Sequence, residues 1–64
     1  MIILKYVTKK NERKSVEFTI SDVEKVIAEL QKTDIKAPMK LTIQENDYPC
    51  MSLNEIQELC KRLG

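Results

Sequence analysis

The sequence predicts an α+β domain: a four-stranded antiparallel sheet, strand order 2-1-3-4, with two helices on one face, in the chain order β-β-α-β-β-α. Three observations carry this expectation. The stretches SDVEKVIAELQK and SLNEIQELCKRLG both place apolar residues at helical spacing. Two short runs of alternating apolar residues precede each of them. A ββα unit cannot cover its own apolar face, so two of them, at 1–33 and 38–64, must share one core. Sixty-four residues suffice for one such domain, which buries about 60% of its unfolded surface. With 42% hydrophobic and 33% charged residues and a single glycine, the composition is that of a globular chain.

Ile2, Leu4 and Tyr6 alternate in the first predicted strand, and Val16, Phe18 and Ile20 in the second. The first helix opens with a capping box of Ser21 and Glu24, and Val23, Val26, Ile27 and Leu30 form its apolar face. Pro38 excludes its continuation. Met39, Leu41 and Ile43 alternate in the third strand, and Tyr48 and Cys50 in a short fourth. The second helix repeats the cap with Ser52 and Glu55 and buries Leu53, Ile56, Leu59, Cys60 and Leu63. Lys61 and Arg62 suit its negative end, and Gly64 closes it. A shift of thirty residues lays Phe18 on Tyr48, Val23 on Leu53 and Val26 on Ile56, but identities are few. What repeats is the supersecondary unit.

Strand parity assigns the faces, because residues opposed across a hairpin lie on the same side of the sheet. Ile2, Leu4 and Tyr6 join Val16, Phe18 and Ile20 only if the loop within KKNERK holds an odd number of residues. A two-residue Asn11-Glu12 turn would bury Lys5 unpaired, at a cost of several kcal/mol. In the second hairpin, an even loop inside QEND pairs Ile43 with Tyr48 and Leu41 with Cys50, with Asn46 and Asp47 as turn residues. Pro49 cannot donate to a ladder, so the fourth strand belongs at an edge. Ile3 and Val7 give the first strand a second apolar side, which suits a central position.

The inventory for catalysis is thin. There is no histidine to act as a base, and the one glycine cannot form a phosphate loop. The carboxylates scatter over helix faces, caps and turns, and Glu45-Asn46-Asp47 lacks the ligand spacing of a calcium loop. Cys50 and Cys60 have no CxxC spacing and fall at core positions, so they are expected to be reduced, buried and metal-free. No cofactor and no enzymatic activity are expected. The apolar start MIILKYV is interrupted by Lys5, too early for a signal-peptide core or a membrane span, and a cytoplasmic protein follows as the expectation.

Two surfaces remain as candidates. The basic run Lys9, Lys10, Arg13 and Lys14 surrounds Glu12; it reads as a solvated hairpin tip or as a phosphate-contacting finger for nucleic acid. The open sheet face carries Ile3, Lys5, Val7 and Met51 among polar neighbours, with Lys5 and Glu17 placed to pair across strands. A net charge of only +1 gives no strong steering toward nucleic acid or anionic membrane. The expected function is a small protein-binding module, of the kind found as bacterial or phage accessory, inhibitor or regulatory proteins. It would meet a protein partner or a second copy of itself, as a homodimer, through that open face. Nucleic-acid binding by Lys9–Lys14 is the alternative.

Overall fold

The computed structural model describes residues 1–63. Strands β1 (Ile2–Thr8) and β2 (Arg13–Phe18) lead through a 3₁₀ turn (Ile20–Asp22) into helix α1 (Val23–Leu30). Strands β3 (Ile35–Ile43) and β4 (Asn46–Cys50) then precede helix α2 (Leu53–Leu63). The sheet is antiparallel throughout, in the order β2-β1-β3-β4 that the strand patterns predict. Pro49 does lie on an edge strand, and the doubly apolar β1 is central.

One core holds the layers together. Ile2, Leu4, Phe18, Met39, Leu41, Ile43 and Cys50 rise from the sheet to meet Val23, Ile27 and Leu30 of α1 and Ile56 and Cys60 of α2. Both helices therefore cover the same face. Tyr6, Val16, Val26, Tyr48, Leu53 and Leu59 pack at its margin, half-buried. Thr8 is the one buried polar residue among those described, and its Oγ1 accepts from the Glu12 amide at 3.2 Å. Among the described residues no buried side-chain nitrogen or oxygen is left without a partner, so the core carries no desolvation penalty of that kind.

The first hairpin has the odd loop. Val7 opposes Arg13, leaving residues 8–12 between them. The Asn11 amide donates to the Thr8 carbonyl at 2.9 Å, and the Thr8 amide donates to the Glu12 carbonyl at 3.0 Å. Asn11 sits at φ 65°, the left-handed conformation that asparagine tolerates better than most residues. This is a turn at the tip closed by a one-residue bulge, a three-residue hairpin loop.

The second hairpin keeps the expected even parity but not the expected register. Ile43 opposes Asn46 and Leu41 opposes Tyr48, so the turn residues are Gln44 and Glu45, not Asn46 and Asp47. The tighter turn adds two cross-strand pairs, and it lets Asp47 accept from the Thr42 hydroxyl at 2.7 Å beside the Lys40 ammonium at 3.2 Å. Its cost is backbone strain: Gln44 and Glu45 have φ of 50° and 69°, and neither is glycine or asparagine. Replacing the pair by Asn-Gly, the preferred sequence for such a turn, should stabilise the fold by about 1 kcal/mol. That corresponds to roughly 4–8 °C in the melting midpoint for a domain of this size. An unchanged or lower midpoint in a calorimetric scan would contradict this account.

Several local expectations are corrected. β3 begins at Ile35, ahead of the Pro38 boundary read for the second unit. It takes up the extra length in a bulge, where Lys5 opposes Lys40 but Val7 already opposes Lys36. Pro38, after a cis Ala37–Pro38 peptide, sits inside this irregularity, where a missing ladder donor is tolerated. The bulge adds two residues, so the alternation of faces survives it.

β2 ends at Phe18, and Ile20 turns outward at 47% exposure instead of joining the core. The 3₁₀ turn causes this, since the Asp22 amide bonds back to the Thr19 carbonyl at 3.0 Å. The same turn absorbs Ser21, whose hydroxyl lies 2.9 Å from that of Thr19 and caps nothing; α1 starts after Asp22. At α2 the cap is present: the Glu55 amide donates to Ser52 Oγ at 3.3 Å. Lys61 and Arg62 occupy the last turn of α2, where Leu63 is 38% exposed and not buried as its spacing suggested. The expected terminator, Gly64, lies outside the described residues.

Candidate functional site

The pleat turns a defined set of side chains away from the helices. Pairing places Ile3, Lys5 and Val7 of β1 on this open face beside Glu17, Ser15 and Arg13 of β2. On the other side of β1 stand Thr42, Lys40 and Lys36 of β3, followed by Asp47 and Pro49 of β4. Ile3 and Val7 are half-buried among these neighbours, and Lys5 is exposed. Lys5, Val7, Arg13, Ser15, Pro38 and Lys40 border a shallow groove of about 430 Å³.

The predicted face residues divide. Ile3, Lys5 and Val7 are brought together. Met51, 62% exposed, is not with them: it follows β4 at the end of the domain, beside Leu30, Ile35 and Leu53. The chain bends after Cys50 to enter α2, which carries Met51 out of strand alternation. The Lys5–Glu17 pair is also absent, because the register sets Ile3 against Glu17 and Ser15 against Lys5. Lys5 instead faces Lys40 across the β1–β3 ladder.

The basic tip divides as well. Lys9 and Lys10 occupy the turn, and Lys14 shares the parity of Tyr6, with its ammonium 3.9 Å from Glu12. Arg13 lies on the open face opposite Val7. Sequence reasoning missed the consequence: Arg13, Lys5, Lys36 and Lys40 form one basic patch across three strands. The alternation of Met39, Leu41 and Ile43 starts β3 too late to include Lys36; the apolar Ile35, three residues before Pro38, is the available signal. The Lys36 ammonium donates to the Asn11 side-chain oxygen, which ties β3 to the hairpin loop.

Electrostatics on this face are modest. The Thr42 hydroxyl first, and Lys40 second, hold the Asp47 carboxyl below its ordinary value of 3.8. Of the patch, Lys40 alone has a carboxylate within ion-pairing distance among the described residues. Lys5 and Arg13 are free to meet an anionic group.

The cysteines are elsewhere. Both are fully buried and unpaired, and burial pushes both thiols up from 9.0, with Glu55 and Cys60 adding to the effect at Cys50. A thiol raised in the folded state favours folding below the unfolded value and loses that contribution as pH climbs past it. Stability should therefore fall as pH rises above about 9, and less steeply in Cys60→Ala than in the parent chain. Thiol labelling of the native protein should be slow at neutral pH. Fast labelling of both, or identical alkaline slopes, would count against buried, neutral thiols.

Among the described residues no group of three or more His, Cys, Asp or Glu side chains could hold a metal ion. No described helix is long and apolar enough to cross a membrane. No protein-family model, curated protein or solved structure matches the chain.

Proposed function

We propose that the chain is a non-enzymatic binding module that engages an acidic protein surface through the open face of its sheet. One observation carries this reading: among the described residues, Lys5, Arg13, Lys36 and Lys40 share that face with only two carboxylates, Glu17 and Asp47. The half-buried Ile3 and Val7 supply an apolar centre, and the lysines and Arg13 a charged rim, the usual anatomy of a contact patch. The same segregation argues against stacking two open faces on each other, since Lys5 and Lys40 would meet their own kind. A cytoplasmic setting belongs to this proposal and is supported by the two unpaired, buried thiols.

Nucleic acid is the second reading, and a specific observation favours it. Arg13 links the turn lysines, Lys9 and Lys10, to Lys5 and Lys40, making a path for a phosphate backbone. By strand parity no aromatic side chain among the described residues projects from the open face to stack a base, although Tyr6 borders its groove.

Affinity capture from nuclease-treated host extract, followed by mass spectrometry, tests the first reading. Lys5→Glu with Lys40→Glu, and Ile3→Asp alone, should each lose the partner, whereas Lys9→Glu with Lys10→Glu should retain it. Micromolar binding to duplex or single-stranded DNA or RNA, falling steeply with salt and lost in the turn variant, would replace it with the second.

A further inference from the structure

The two edges of the sheet are not equivalent. Along β4, Ile43 and Asn46 flank a two-residue turn and form a hydrogen-bonded pair, so alternation makes Thr42–Asp47 and Lys40–Pro49 the non-bonded pairs. The backbone of Pro49 thus points outward, and the missing donor blunts this edge. Along β2, the bond from the Thr8 amide to the Glu12 carbonyl fixes the phase. Lys14, Val16 and Phe18 then bond inward to β1, leaving the N–H and C=O of Arg13, Ser15 and Glu17 directed outward. No proline or described bulge interrupts them. One edge is blunted at Pro49 and the other is open.

The open edge is self-complementary in charge. A second copy can add antiparallel to β2 about a two-fold axis normal to the sheet, which keeps like faces together and opposes residues of equal parity. Centred on Ser15, this register sets Arg13 of each copy against Glu17 of the other on the open face, and joins their outward backbone groups. Centred on Val16 it opposes Ser15 to Glu17 and Lys14 to Phe18, with no ion pair. Centred on Lys14 it opposes two ammonium groups, which like-charge repulsion disfavours. The charges that shield this edge from a generic strand are matched by its own sequence.

We propose that β2 is the homodimerisation edge of this protein, pairing with β2 of a second copy in the register centred on Ser15 to give a continuous eight-stranded sheet. The groove of about 370 Å³ between β2 and α1, lined in part by Tyr6, Val16, Phe18 and Val26, opens on the same edge. The second copy closes it, laying the aliphatic stem of Lys14 over the half-buried Val16. Lys25 and Glu29 on the α1 rim present opposite charges to the antiparallel neighbour. The two-fold axis leaves both helix layers on one side and both basic open faces on the other. Because Pro49 blunts β4, β2-to-β2 pairing closes as a dimer and does not propagate into a fibre.

Sedimentation equilibrium from micromolar to millimolar concentration tests this. The parent chain should show a monomer–dimer equilibrium. Ser15→Pro removes an outward donor but no β1–β2 bond, so it should leave a folded monomer by circular dichroism. Should that variant fail to fold, the charge variants decide. Arg13→Glu and Glu17→Arg, singly, should each weaken association about tenfold or more, and the two together should restore it, because the pairs re-form with reversed sign. A chain that stays monomeric across the range overturns the proposal, as does a dimer indifferent to these changes. A dimer lost in Ile3→Asp but intact in Ser15→Pro would assign self-association to the open face. A monomer that instead protects its Ser15 amide against hydrogen exchange on adding an unrelated extended peptide would assign the edge to strand capture.

Discussion

Leu4→Asp and Leu41→Asp should each abolish folding, whereas Ile3→Asp should leave a folded chain. Leu4 and Leu41 oppose each other across β1 and β3, and both are fully buried beneath the helices. Removing either side chain forfeits about 1.5–3 kcal/mol of apolar burial. Placing a carboxylate there, with no cation in the core cluster to pair with, adds several kcal/mol more. A domain of this length has about 3–10 kcal/mol of total stability, so the sum exceeds what the fold can lose. Ile3 is one residue away but on the open face, opposite Glu17 and Thr42. An aspartate there stays hydrated, and its repulsion from Glu17 costs at most about 1 kcal/mol. Circular dichroism of the variants decides the matter. A folded Leu4→Asp beside an unfolded Ile3→Asp would invert the face assignment.

That contrast was legible in the sequence because a single charged residue, Lys5, fixed the parity of the first hairpin. A period-two pattern with one lysine out of phase admits only one face for the core, and loop length follows. The strand order was legible for a similar reason: Pro49 and the doubly apolar β1 each exclude all but one kind of position. What was not legible depended on short-range backbone geometry. Ile20 continues the alternation of Val16 and Phe18 perfectly, yet a 3₁₀ turn intervenes and turns it to solvent. Ser21 and Glu24 have the spacing of a capping box as good as Ser52 and Glu55, but only the latter pair meets a helix that starts in the right place.

The candidate site was half legible. Ile3, Lys5 and Val7 were placed together by parity alone. Of the cations that join them, Lys40 follows from the same parity, whereas the bulge in β3 hides Lys36 and the run Lys9–Lys14 conceals that Arg13 alone turns to this face. Arg13 and Lys14 are adjacent in sequence and lie on opposite sides of the sheet. A basic run on a strand always divides in this way, which halves the apparent size of a charge cluster on either face. Here the division extends the basic surface, since Arg13 falls beside lysines contributed by β1 and β3.

Ile56→Ala should cost about 2–5 kcal/mol, whereas Leu63→Ala and Ile20→Ala should each cost less than about 1 kcal/mol. All three residues carry equal apolar weight in the sequence, and periodicity assigned all three to the core. Ile56 is fully buried between Cys50, Cys60 and the sheet residues of the cluster, so truncation leaves a cavity that the close-packed layers cannot collapse around. Leu63 stands in the last turn of α2 and Ile20 in the entry turn to α1, where 38% and 47% of each residue remains in water. Their side chains have already forgone much of the transfer energy that truncation removes. Urea titration should show this as a lower midpoint for Ile56→Ala at unchanged slope, with the other two variants close to the parent. Equal losses at all three positions would mean that α2 packs one turn further along the sheet and that Ile20 belongs to β2. The helix and strand ends would then have to be redrawn together, because the 3₁₀ turn that exposes Ile20 leads directly into α1.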